Sequence, residues 1–249
     1  MDNKKPKIIT IASIKGGVGK STSAIIFATL LANDCKVLLI DMDTQASVTS
    51  YFYKKIVESE FNLLEKNIYE ILKGNISIDN SVVNINKNLD LIPSYLSLHK
   101  FNKEAIIFKE IKLQKQLLNL QSHYDYIIID TNPSLDYTLT NALVCSNYIV
   151  VPITAEKWAV ESLELLKFSI SDLAIDIPIF LIITRFRKNN THKALFNSLK
   201  DNKNFLGLVS EREDLNKKIA KDDLFNLNRD YMLEYKNILS KFKIITTSN

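Results

Sequence analysis

Lys7-Ile8-Ile9-Thr10-Ile11-Ala12-Ser13-Ile14-Lys15-Gly16-Gly17-Val18-Gly19-Lys20-Ser21-Thr22 is the stretch on which the fold turns. Its first six residues form a mostly apolar, β-branched run suited to a buried strand. From Ser21 to Ala32, apolar residues fall at helical spacing through Ala24, Ile25, Ala28, Leu31 and Ala32. Between these segments, Gly16, Gly17 and Gly19 account for three of only five glycines in 249 residues. Glycine tolerates positive φ and close backbone approach, so glycines concentrated here mean that the chain wraps something. The local order is strand, glycine loop, helix.

The loop satisfies the phosphate-binding pattern GxxxxGK(S/T) everywhere except at its first glycine, where Ile14 stands. In such a loop, backbone N–H groups and the helix N-terminus cradle phosphates, Lys20 neutralises the β and γ phosphates, and the Ser21 hydroxyl reaches Mg²⁺. Ligands of open α/β sheets lie outside the carboxyl ends of strands, so further acids are expected there. Two candidate strands supply them. Lys36 to Ile40 runs into Asp41-Met42-Asp43-Thr44-Gln45, and Tyr124 to Ile129 runs into Asp130-Thr131-Asn132-Pro133.

Lys15 to Thr22 resembles the deviant Walker A motif of the ParA/MinD group of P-loop ATPases, in which a second lysine, here Lys15, is a signature. The resemblance implies ATP and Mg²⁺ as cofactors, with ATP on Lys15, Gly16, Gly17, Val18, Gly19, Lys20, Ser21 and Thr22. It also implies an ATP-bound homodimer in which Lys15 reaches the partner's phosphates. Asp41-x-Asp43-x-Gln45 is similar to the family's switch I, so Asp43 is expected to orient or activate the attacking water and Asp41 to help hold the hydrated metal. Ile127 to Asp130 resembles Walker B, making Ser21, Asp41 and Asp130 the implied metal set and Lys15, Lys20 and Asp43 the implied catalytic set. The family commonly has two prolines after this Asp-Thr pair. Asn132 before Pro133 implies a less rigid switch II. No arginine finger is assigned within the chain, and the resemblance implies slow turnover raised by an activating partner.

With 46% hydrophobic and 24% charged residues, the composition is that of a soluble globular protein, excluding disorder, collagen and a disulfide scaffold. Cys35 and Cys145 have no CxxC spacing, which speaks against zinc and against the iron–sulfur carriers of the same superfamily. The amino terminus lacks a signal-peptide core, and no run of about 18 apolar residues exists to span a bilayer. His99, His123 and His192 have no metal-ligand spacing, while Trp158 and Cys145 read as core residues. Net charge is only +4, yet between Arg185 and Lys221 ten Lys and Arg face four Asp and Glu. Such a stretch suits a phosphate backbone, with two solvated helix faces as the plainer alternative. The ParA side of the family binds DNA without sequence preference as an ATP dimer, which makes Arg185, Arg187, Lys188, Arg212, Lys217 and Lys218 the candidate contacts.

Further strands are read at Leu89 to Ser94, Asn147 to Pro152 and Ile177 to Ile183. Helices are read at Phe61 to Lys73, Glu104 to Leu120 and Lys157 to Ala174. This alternation predicts an α/β fold, a predominantly parallel twisted sheet with helices on both faces, in a single P-loop NTPase domain over residues 1–249. Beginning at its first strand, the chain is expected to lack an N-terminal helix-turn-helix domain. The expected function is that of an ATP-dependent plasmid or chromosome partition protein. It would be cytoplasmic and nucleoid-associated, and released from nonspecific double-stranded DNA by hydrolysis under a ParB-like centromere-binding protein. A nucleotide-switched DNA binder without turnover fits the same motifs. The alternative is a MinD-like membrane-associated positioning ATPase, which needs a terminal amphipathic helix on lipid. Tyr231, Met232, Tyr235, Ile238, Leu239 and Phe242 form an apolar stripe, which core packing explains equally well, and no stable membrane association is expected.

Overall fold

The computed structural model describes residues 5–156, 159–213, 215 and 229–247. Its strands are β1 (Lys7–Ile11), β2 (Val37–Met42), β3 (Val83–Asn86), β4 (Leu89–Ile92), β5 (Tyr126–Thr131), β6 (Tyr148–Ile153), β7 (Ile179–Phe186) and β8 (Phe205–Ser210). They make one eight-stranded sheet in the order β3-β4-β2-β5-β1-β6-β7-β8. Every pairing is parallel except β3 with β4 at one edge.

Side chains alternate across the strands, and both faces are apolar, as a parallel sheet covered twice requires. On one face Val37, Leu39, Ile128, Val150 and Ile182 meet α1 (Lys20–Leu31), α2 (Ser47–Tyr51), α3 (Tyr53–Glu58) and the last helix, α10 (Asp230–Thr247). On the other, Leu38, Ile40, Ile127 and Ile129 meet α4 (Ile68–Lys73), α5 (Leu98–Phe101), α6 (Lys112–Leu118) and α7 (Tyr137–Cys145). Ile149, Val151, Leu181 and Ile183 on that second face meet α8 (Ala159–Asp172) and α9 (Asn190–Leu199). The expected sheet and two helical layers are therefore present.

Four segments depart from the sequence reading. The helix expected over Phe61 to Lys73 begins only at Ile68, because extended Asn67 caps it, its side chain accepting from the Tyr69 and Glu70 amides. Gly74 closes the same helix in the left-handed conformation, as expected. The long helix expected over Glu104 to Leu120 is interrupted at Phe108, whose φ is 53°, and resumes as a 3₁₀ turn and α6. Lys109 follows the break directly. Its ammonium donates to the Glu104 carbonyl at 2.7 Å and lies 4.4 Å from the Tyr137 ring centroid, contacts that tie the chain down at this point. Strands β3 and β8, unread in the sequence, form the two sheet edges.

Candidate functional site

The sheet delivers β1 into the glycine loop with the carboxyl ends of β2 and β5 beside it. Gly17 and Gly19 have φ of 73° and 85°, the left-handed region that a side chain resists, so the loop can curl back over its own amides. Gly19 occupies the N-cap of α1 without a side-chain cap, leaving the first-turn amides available to a phosphate. Lys20 is 6% exposed and its Nζ donates to the Lys15 carbonyl at 3.1 Å, bridging the loop it closes. Burial lowers its pKa, and the charges of Asp130 and Asp43 oppose that shift. Thr184 of β7 pins the loop from behind, donating from Oγ1 to the Val18 carbonyl at 2.7 Å. The Lys15 ammonium pairs with Glu156 at 2.6 Å, just past β6.

The carboxylates expected at strand ends are there, and buried. Asp41 accepts from the Thr49 amide at 2.8 Å, the Thr49 hydroxyl at 2.7 Å and the Asp43 amide at 3.1 Å. Burial outweighs those bonds and pushes its pKa up to about 6. Asp43 is 5% exposed and accepts from the Gln45 amide at 2.8 Å; its pKa is raised by burial and lowered by Gln45 and Lys20. Asp130 is fully buried, and neither carboxylate oxygen has a hydrogen-bond partner among the described residues. Burial first, then the Asp41 charge, hold its pKa well above the usual carboxylate range. The Ser21 hydroxyl stands close enough to oppose that rise without completing a bond.

Two residues that sequence reasoning missed hold the Asp41–Asp43 segment in place. Thr49 Oγ1, while donating to Asp41, accepts from the Ser94 amide at 2.8 Å, and the Ser94 hydroxyl donates to the Asp43 carbonyl at 2.8 Å. Both are buried. Past β5, the Asn132 that stands where the family has proline is tied down by its side chain. Asn132 is buried and its Nδ2 donates to Asp136 at 2.7 Å, while Asp136 also caps α7 through the Thr138 and Leu139 amides.

The site passes the test for Mg²⁺. Its donors are hard oxygens, Asp130 is an orphaned buried carboxyl group, and the adjacent Ser21 hydroxyl is of the type that completes such a shell. Among the described residues no three His, Cys, Asp or Glu side chains converge as a protein-only cage. Mg²⁺ is ordinarily bound by one or two carboxylates with phosphates and water, so that arrangement suits it.

A cleft beside the loop is lined by Gly19, Thr22, Thr184, Arg185, Arg212 and Tyr235. Two of the candidate DNA contacts, Arg185 and Arg212, therefore line this cleft beside the glycine loop. Arg185 has φ of 52°, a strained conformation of the kind that clusters at functional sites. Arg212 also pairs with Asp230 and Glu234, and Arg187 pairs with Glu211, so these two charges are locally compensated. Lys188 is exposed. Lys217 and Lys218, like Trp158, lie outside the described residues. The α10 stripe of Tyr231, Met232, Tyr235, Ile238, Leu239 and Phe242 is buried in the core. No described helix is long and apolar enough to cross a membrane.

A family model described as an AAA domain matches residues 6–183. The chain is 37% identical over 165 residues to the sporulation initiation inhibitor protein Soj of Bacillus subtilis, covering 63% of this chain and 62% of Soj. It is 31% identical over 196 residues to the virulence plasmid ParA family protein pGP5-D of Chlamydia psittaci, covering 75% and 72%. Across the first curated relatives it spans 50% to 66% of their length. A Borrelia burgdorferi B31 protein assigned to plasmid partition and solved with AMPPNP superposes with a TM-score of 0.95 at 62% identity, over 96% of this chain and 99% of that one.

Proposed function

From the premise that this chain belongs to the ParA family of P-loop ATPases, we propose that it hydrolyses ATP to drive DNA partition. One observation carries the proposal: a buried lysine under left-handed glycines, next to an aspartate whose two buried oxygens are unpaired. The AMPPNP bound by the Borrelia protein supports ATP as the ligand here. Its phosphates would rest on the amides from Gly16 to Thr22, and its nucleoside in the cleft between Thr22 and Arg185. Ser21 and Asp130, with Asp41 behind them, would hold Mg²⁺, which supplies charge neutralisation at the β and γ phosphates. Lys20 adds positive charge on the transferring oxygens, and Asp43 takes the proton of the attacking water. The water oxygen bonds to the γ phosphorus as the bond to the bridging oxygen breaks, leaving ADP and phosphate.

The ATP state would be a homodimer in which Lys15 leaves Glu156 for the partner's phosphates. That dimer would bind double-stranded DNA without sequence preference, placing the protein on the nucleoid in the cytoplasm, until a ParB-like protein stimulates hydrolysis. Lys188, Lys217 and Lys218 remain candidate contacts, together with Arg187 once Glu211 gives way. A membrane-positioning role would take its apolar stripe from α10, and that stripe is already spent in the core. Co-sedimentation with nonspecific duplex DNA and with anionic liposomes, with and without ATP, tests the proposal. ATP-dependent pelleting on DNA is expected, weakening steeply with salt; pelleting on liposomes alone would overturn it. Lys15→Gln is expected to abolish ATP-dependent dimers in light scattering, and normal dimers would remove its role across the interface.

A further inference from the structure

Asn132 lies two residues past Asp130 and is 4% exposed. Its Nδ2 donates to Asp136 Oδ2 at 2.7 Å, an oxygen that also accepts from Asn102 Nδ2 at 2.9 Å. The other oxygen of Asp136 is occupied by the Thr138 and Leu139 amides at the start of α7. A carboxylate only accepts, so this contact fixes which way the Asn132 carboxamide faces, nitrogen toward Asp136 and oxygen away. That oxygen is buried and has no hydrogen-bond partner among the described residues. An acceptor in this condition is costly to keep, and it calls for a donor that arrives with the ligand.

Strand register locates that donor. β2 and β5 set Asp41 opposite Asp130 and Met42 opposite Thr131, so Asp43 and Asn132 are the residues that leave the ends of these two adjacent strands. The electrostatics agree, since Asp136 is near enough for its charge to raise the pKa of Asp43. The unpaired oxygen of Asn132, the carboxylate of Asp43 and the unpaired oxygens of Asp130 thus share the carboxyl ends of two adjacent strands.

We propose that Asn132 is a positioning residue for hydrolysis, its Oδ1 accepting one hydrogen of the attacking water while Asp43 accepts the other. This rests on the ATPase reading given above. Water has two hydrogens; with each held by a separate acceptor, its lone pair is turned toward the γ phosphorus. The proton on the Asp43 side is lost to that carboxylate, the hydrogen on the Asn132 side stays with the phosphate formed, and ADP leaves. A neutral amide suits the position because it accepts without adding a further negative charge beside Asp41, Asp43 and Asp130. Asp136, five hydrogen-bond donors around it, keeps the amide from rotating.

The test is calorimetry on Asn132→Ala with Mg·AMPPNP and with Mg·ADP·aluminium fluoride, the second mimicking the transferring phosphoryl group with its in-line water. Affinity for AMPPNP is expected to stay within about twofold of wild type, because Asn132 holds water and not phosphate, whereas affinity for the aluminium fluoride complex falls roughly tenfold or more. Turnover should fall by a similar factor with KM unchanged. Asn132→Asp, which keeps the size but loses the Nδ2 donor to Asp136, should give the same selective loss if the alanine variant does not fold. Equal weakening of both analogues marks a structural role and overturns the proposal, as does wild-type affinity for both. Wild-type protein that binds neither analogue overturns the ATPase reading itself, and this proposal with it.

Discussion

Thr49 does two jobs with one hydroxyl, donating to Asp41 and accepting from the Ser94 amide. Thr49→Val keeps the β-branched shape and removes both bonds, leaving a buried carboxylate oxygen with one donor and a buried amide with none. A loss of about 1–3 kcal/mol in urea unfolding is expected, and an unchanged midpoint would show that the hydroxyl does not hold the switch. The residue also marks where sequence reading stops. Lys15, Lys20, Ser21, Asp41, Asp43 and Asp130 were legible because each sits in a local pattern, a glycine spacing or an acid ending an apolar run. Thr49, Ser94 and Thr184 have no such pattern, and their partners lie 45, 51 and 166 residues away. Asn132 was visible as a departure from the family's prolines, but its tie to Asp136 was not.

Strands buried on both faces announce themselves as largely apolar runs, which is why β1, β2 and β4 through β7 were readable while the edges were not. Val83-Asn84-Ile85-Asn86 alternates, since its asparagine side is open, and β8 carries a glycine in the middle of a basic stretch. That glycine lies against Ile238 of α10. Gly207 has φ of 150°, and a Cβ there would stand 3.0 Å from Ile238 Cγ1. Gly207→Ala is therefore expected to lower the thermal midpoint, at a cost of about 1–3 kcal/mol from strain and overpacking together. A midpoint equal to wild type would mean that α10 lifts away freely.

Across the whole molecule, the acids proposed to hold the metal are buried ones whose charge the free protein disfavours. The Asp41 carboxyl titrates at about 6 in the folded chain, above its ordinary 3.8, so the folded state binds this proton more tightly than the unfolded state does. The stability this proton contributes is complete below the ordinary value and is lost as pH rises through 6, and Asp130 acts in the same direction. Without nucleotide, the thermal midpoint is expected to be higher at pH 5.5 than at pH 7.5, with Asp130→Asn flattening the difference; a wild-type midpoint that climbs between those values contradicts the burial account. Tyr235 of α10 both lines the cleft beside Gly19 and hydrogen-bonds Ser23 of α1 at 3.0 Å. At a synthesis rate of about 5–20 residues per second, roughly 10–40 seconds separate the translation of the glycine loop from that of α10. A nascent chain whose α10 has not yet been made therefore lacks the wall of that cleft that Tyr235 supplies.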